Sequence, residues 1–218
     1  MERTITVKGV GSVSLKPDQT VVTMTLRSLD KDYEKAVQRT AELYRQLAEQ
    51  LHDIGFAEED LKTESFQVNT EYENVRDRDG NYRSEFSGYA CVHGLILRFD
   101  FDTVLLGKVL ASIAKCVAEP ELAVQFTVKD KNAVSELLLQ DAARNAAQKA
   151  EILTKASGVV RGRLLSVEYQ WGELDIVSST RYNMEAKCMP MFSAADLAFQ
   201  PDDIRLTDSA SFVWEIMD

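Results

Sequence analysis

The stretch from Asp130 to Trp171 constrains this chain more than any other. Ala133, Val134, Leu137 and Leu138, then Ala142, Ala143, Ala146, Ala147, Ala150 and Leu153, recur at helical spacing and stop before Gly158. A glycine just past the last turn supplies the left-handed residue that ends a helix. Gly162 follows, and then an alternating run, Leu165, Val167, Tyr169 and Trp171, that reads as a strand over 163–171. Small side chains along one helix let a second helix or a sheet come close. The pattern therefore predicts a helix over 132–157 packed tightly through Ala142, Ala146 and Ala150. It is packing information and carries no chemistry.

The rest of the chain alternates between the two periods. Residues 5–15 place Ile5, Val7, Gly9, Gly11, Val13 and Leu15 on one face, and residues 20–28 alternate again; around Pro17-Asp18 the two runs read as a hairpin. The glycines at 9 and 11 mark a bulge or the approach of another backbone. From 31 to 54 the period becomes helical through Ala36, Val37, Thr40, Leu43, Leu47 and Leu51, with Asp30 or Asp32 as cap and Gly55 beyond the end. Residues 61–73 alternate through Phe66, Val68, Thr70 and Tyr72. A hairpin tip at Asp79-Gly80-Asn81 then leads into a long strand through Tyr89, Cys91, His93, Leu95, Leu97 and Phe99, with Ala90, Val92 and Ile96 on its other face. Apolar residues on both faces predict a central strand. A short helix over about 103–117 and a strand of Leu122, Val124, Phe126 and Val128 follow. Residues 173–203 hold Pro190, Pro201 and no sustained period, and read as one long irregular segment. Ile204, Leu206, Ala210, Phe212, Trp214 and Ile216 alternate near the end. The order β-β-α-β-β-α-β-α-β-β, with two successive β-β-α units, predicts an α+β fold with a largely antiparallel sheet and packed helices, built as a single domain over 1–218.

Composition narrows function by exclusion. Twenty-five basic against 35 acidic residues leave a net charge of −10, which repels phosphate backbones and argues against nucleic acid as a partner. Three cysteines, Cys91, Cys116 and Cys188, make no disulfide framework, and Cys91 and Cys116 fall where small buried apolar residues belong. No window is apolar enough for a transmembrane segment, and the chain opens inside a strand with no signal-peptide pattern, so a cytoplasmic location is expected.

Candidate chemistry is sparse. Of the two histidines, His52 falls near a helix end, where it complements the dipole, and His93 falls inside a strand; neither has an acid or nucleophile near it in sequence. Gly9-Val10-Gly11 leads into a strand and lacks the third glycine of a phosphate loop. Asp77, Asp79 and Asn81 lack the closing glutamate of a calcium loop, and Arg76, Arg78 and Arg83 read as a solvated tip. The sharpest candidate is the crowding of Met184, Cys188, Met189 and Met191, since thiolate and thioether ligands select Cu(I). No histidine or second cysteine completes that set, so we read it first as an adaptable apolar patch that docks on a neighbouring subunit. The reading is a non-enzymatic homo-oligomer with no catalytic residue, cofactor or metal; the alternative is a small-ligand or Cu(I)-binding module using 184–191.

The order and punctuation resemble a known family. Ile5-Thr-Val-Lys-Gly-Val-Gly11, Lys16-Pro-Asp18, Leu51 to Gly55, Thr63 in LKTESFQV, Ser87-Gly-Tyr89, the run Asp141-Ala-Ala-Arg-Asn-Ala-Ala-Gln-Lys-Ala150 reaching Gly158 and Gly162, and the closing DIRLTDSASFVWEI are similar to the SIMPL-domain family of bacterial proteins. That resemblance implies an α+β fold, a tendency toward higher oligomers, and stress-related assembly or interaction. It implies no catalytic residue. Many such relatives are periplasmic or cell-envelope proteins with a signal peptide. The segment Val117-Ala-Glu-Pro-Glu-Leu122 departs from the pattern, lacking the glycine expected after the second helix.

Overall fold

The computed structural model describes residues 3–76, 82–170, 172, 174–185 and 200–218. In chain order its elements are β1 (Thr4–Leu15), β2 (Gln19–Asp30), α1 (Tyr33–His52), β3 (Leu61–Arg76), β4 (Tyr82–Asp100), α2 (Thr103–Ala114), β5 (Glu121–Thr127), α3 (Lys131–Ala156), β6 (Val160–Glu168), β7 (Val177–Glu185) and β8 (Ile204–Met217). The fold is α+β, and its paired strands run antiparallel. The single domain expected over 1–218 is made of two compact units. One comprises Met1–Asp18, Thr127–Ser179 and Pro201–Asp218, the other Gln19–Phe126 and Thr180–Gln200.

The first unit is a three-stranded sheet, β1-β8-β6, with α3 on one face. β1 and β8 pair along their whole length, from Thr4 opposite Glu215 to Leu15 opposite Ile204. Val7, Phe212, Trp214 and Ala210 face Ala146 and Ala150 of the helix, and Ala142, Ala146 and Ala150 are fully buried. The alanine stripe is thus the contact it was expected to be. Gly9 and Gly11 lie directly beneath it: a Cβ on Gly9 would stand 2.1 Å from the Ala142 carbonyl oxygen, and one on Gly11 2.0 Å from that of Leu138. Gly158, at φ +72, ends the helix as expected. β6 starts earlier than the sequence indicated, so Gly162 lies within it and not before it, among register shifts on either side of Leu164. Tyr169 follows the strand and donates its hydroxyl proton to Asp208, and Trp171 lies outside the described residues.

The second unit is a five-stranded sheet in the order β3-β4-β2-β5-β7, whose core joins Val22, Met24 and Leu26 to Leu47 and Leu51 of α1 and Leu106, Leu110 and Ile113 of α2. β4 is central, paired to both β2 and β3, and buried on both faces from Ala90 to Leu97 except for Val92, which is half-buried. Asp32 caps α1, accepting from the Lys35 amide, and Asp102 caps α2. Cys91 and Cys116 are buried free thiols.

Three expectations need correction. The two β-β-α runs stand in chain order as expected, but the hairpin of residues 5–15 and 20–28 does not form: β1 pairs with β8, and β2 with β4 and β5. Pro17 is buried and has no amide to donate; the Asp18 amide bonds the Thr127 carbonyl at 3.1 Å, and its carboxylate accepts from the Lys129 amide at 2.8 Å. Pro17-Asp18 is therefore a crossover pinned to a distant segment, not a turn. Secondly, the segment 173–203 is not wholly irregular, because residues 177–185 are β7. Thirdly, the second helix stops at Ala114, so Cys116 and the exposed Val117 lie beyond it.

The missing glycine after α2 has a structural counterpart. Glu119 takes φ +41, the one positive value among described non-glycine residues. The left-handed region is costly for a residue with a Cβ, and a following proline, here Pro120, further restricts it. Glu119→Gly is expected to raise stability by about 0.5–1 kcal/mol, read as a higher thermal midpoint; a lower midpoint would show that the glutamate side chain contributes more than its backbone strain removes.

Candidate functional site

Along β3 and β4 one sheet face carries a row of aromatic side chains, and α1 covers only part of it. The ring of His93 stacks on Tyr44 of α1 at 5.4 Å, meets Phe66 edge-on at 5.2 Å, and shares a 2.8 Å hydrogen bond between Nε2 and the Thr63 hydroxyl. Nearer the start of the helix, Tyr33 meets Tyr89 at 5.7 Å. There α1 begins, but the row goes on: Tyr89 meets Phe86 at 5.3 Å, and Phe86 meets Tyr72 at 5.9 Å. Register puts Tyr72 opposite Phe86, and Tyr82 opposite Arg76 on the same face.

Element lengths explain why cover runs out. The 20 residues of α1 and 19 of β4 span about 30 Å and about 60 Å respectively, because a helix rises 1.5 Å and a strand roughly 3.3 Å per residue. Beyond Ser87 the hairpin is exposed on both faces: Tyr72 is 62% and Tyr82 74% accessible, with Val75 and Phe86 also open. Exposed apolar patches are commonly where proteins meet partners, which makes this stretch the candidate site.

The histidines do not form a site together. His93 is enclosed by aromatic walls, and burial pushes its pKa below the ordinary range. His52 ends α1 and lines an open groove of about 410 Å³ with Tyr44, Glu49, Asp53 and Glu58; burial and then the Glu58 carboxylate push the Tyr44 hydroxyl up. Among the described residues no group of three or more histidine, cysteine or acidic side chains is arranged to hold a metal. Met184 belongs to the backbone of β7, whereas Cys188, Met189 and Met191 lie outside the described residues, as do Asp77, Arg78, Asp79 and Asn81. Arg83 pairs with Glu85 at 3.4 Å in the exposed part of the hairpin. Among the described residues no helix is long and apolar enough to cross a membrane.

The lowered pKa of His93 sets a sign for acid sensitivity. The unfolded chain takes up the proton near pH 6.5, and the folded chain only at lower pH, so in that window the unfolded state binds more protons and stability rises with pH. Stability is thus held above about pH 6.5 and lost as pH falls through the folded value. Denaturant midpoints at pH 7.5 and 5.5 are expected to differ by less in His93→Gln than in the unaltered protein; equal differences would clear His93 of the effect.

Sequence comparison agrees with the architecture. The model of the SIMPL family, described as a protein of unknown function (DUF541), matches residues 5–214. The chain belongs to the SIMPL family. The match runs from β1 into β8, so it takes in nearly all of both units. No curated protein matches the chain. The SIMPL residues quoted for the resemblance occupy structural posts: Gly9 and Gly11 under α3, Lys16-Pro-Asp18 at the crossover, and Ser87-Gly88 at the register shift where the aromatic row leaves the cover of α1. Phe66, Tyr72, Tyr89 and His93 lie in runs that alternation reveals; Phe86, Tyr82 and the exposure of the row do not show in the sequence pattern. Alternation names a face without naming what lies over it.

Proposed function

We propose that this SIMPL protein is a non-enzymatic assembly module whose partner is a second copy of itself. One observation carries the reading: the aromatic row of β3 and β4 outruns α1, leaving Tyr72, Tyr82 and Phe86 uncovered. Charge favours a like partner there. The described part of the exposed hairpin carries Glu71, Glu73 and Glu85 against Arg76 and Arg83, close to neutral, whereas the chain as a whole stands at −10. Two copies meeting through this hairpin bring together a nearly neutral stretch of a chain that is acidic as a whole, which limits their repulsion. The enclosure of His93 by Tyr44, Phe66 and Thr63 supports a packing role for that residue over a catalytic one.

Sedimentation velocity at micromolar concentration tests the proposal. The unaltered protein is expected to sediment as an oligomer, and Tyr72→Ser with Phe86→Ser to shift it toward monomer by tenfold or more in dissociation constant, the two rings together supplying about 2–4 kcal/mol. The circular dichroism spectrum is expected to stay unchanged, because both rings lie outside the buried core. A strictly monomeric wild-type protein would refute self-assembly.

A further inference from the structure

Asp141, Asn145 and Lys149 stand four residues apart on α3, beside the alanine stripe but not part of it. Each reaches the backbone of β1. The Ser12 amide donates to Asp141 Oδ2 at 2.9 Å, the Val10 amide donates to Asn145 Oδ1 at 3.0 Å, and Lys149 Nζ donates to the Lys8 carbonyl at 3.2 Å. The match follows from geometry. Four helical residues advance about 6 Å and two strand residues about 6.6 Å, so positions 141, 145 and 149 fall against 12, 10 and 8 in an antiparallel crossing. In a pleated strand the amide and carbonyl of one residue point to the same side. Lys8, Val10 and Ser12 therefore direct theirs away from β8, across the outer edge of the sheet β1-β8-β6. An open edge of that kind is a template on which another extended chain can add.

We propose that Asp141, Asn145 and Lys149 close the β1 edge against strand addition by a second copy of the chain. The helix contributes close packing through its alanines and a polar substitute for a neighbouring strand through the residues beside them. This role does not depend on the aromatic hairpin: it concerns the opposite task, keeping one sheet from pairing.

The test replaces Asp141, Asn145 and Lys149 with alanine together. Alanine is the best helix former, so the change does not weaken α3 itself. By residue-resolved hydrogen exchange, the Val10 and Ser12 amides are expected to exchange about tenfold faster or more, while Gly9 and Gly11, facing β8, stay protected. Sedimentation is expected to show species larger than those of the wild type. Asp141→Asn combined with Asn145→Asp keeps both acceptors and is expected to behave as wild type in both assays. The single variants Asp141→Ala and Asn145→Ala are expected to speed only the Ser12 or only the Val10 amide, which keeps the test open if the triple variant does not fold. Unchanged protection of Val10 and Ser12 would overturn the proposal. So would faster exchange without larger species, since the side chains would then satisfy amides and guard nothing. A monomeric wild type would refute self-assembly and leave this result standing.

Discussion

Gly11→Ala is expected to lower stability by about 3 kcal/mol or more, one of the two largest effects of any single substitution considered. The added methyl would sit 2.0 Å from the Leu138 carbonyl oxygen and 2.9 Å from the Ala142 amide nitrogen, both backbone atoms of α3. A side chain can turn aside from such a clash, but a helix backbone moves only by lifting the whole element off the sheet. That would also separate Ala146 and Ala150 from Val7, Phe212 and Trp214. Gly9→Ala repeats the experiment one pleat away, at 2.1 Å from the Ala142 carbonyl oxygen. Ala146→Leu attacks the same contact from the helix side, at a cost of roughly 1–3 kcal/mol. Urea midpoints decide all three; a loss below about 0.5 kcal/mol for Gly11→Ala would mean that α3 retreats freely and the contact is loose.

Phe126→Ala carries the second large effect, an expected loss of about 3–5 kcal/mol. Phe126 is fully buried, with Phe101 edge-on at 5.6 Å and Tyr182 of β7 at 6.2 Å. Truncation leaves a cavity in the core over β5 and removes the ring that Tyr182 of β7 meets. Hydrogen exchange is expected to rise along residues 177–183 before it rises in β2 or β4. Uniform acceleration through the whole sheet would show that β7 is held by something other than this aromatic contact.

How far the fold could be read from sequence depended on where each residue's partner lies. The alanine stripe and the paired glycines were legible because both halves of that contact announce themselves as missing side chains. α1 was legible from its period, its Asp32 cap and Gly55. β7 was not: Val177-Ser-Ser-Thr-Arg-Tyr182 offers one large apolar residue to the core and no alternation, and the strand holds its place through its neighbour β5. The false hairpin came from treating Pro17-Asp18 as a local turn. Its real partners are Thr127 and Lys129, more than a hundred residues away, and no local pattern reports them. The candidate surface was half legible. Phe66, Tyr72 and Tyr89 fell into alternating runs, but their exposure depends on the different lengths of a helix and a strand lying side by side.

The pairing of β1 with β8 also sets a timetable. Thr4 meets Glu215 and Leu15 meets Ile204, so β1 has no sheet to join until the distant residues of β8 have been made. β2, β4 and the helices that cover them are all within reach of one another long before then. During synthesis, at about 5–20 residues per second, β1 waits with its partner strand absent while everything between them is made, and contacts of such long sequence separation are slow to close even afterwards. α3, emerging well ahead of β8, is the first element able to lie against Gly9 and Gly11, and thus to shelter a waiting strand until its partner arrives.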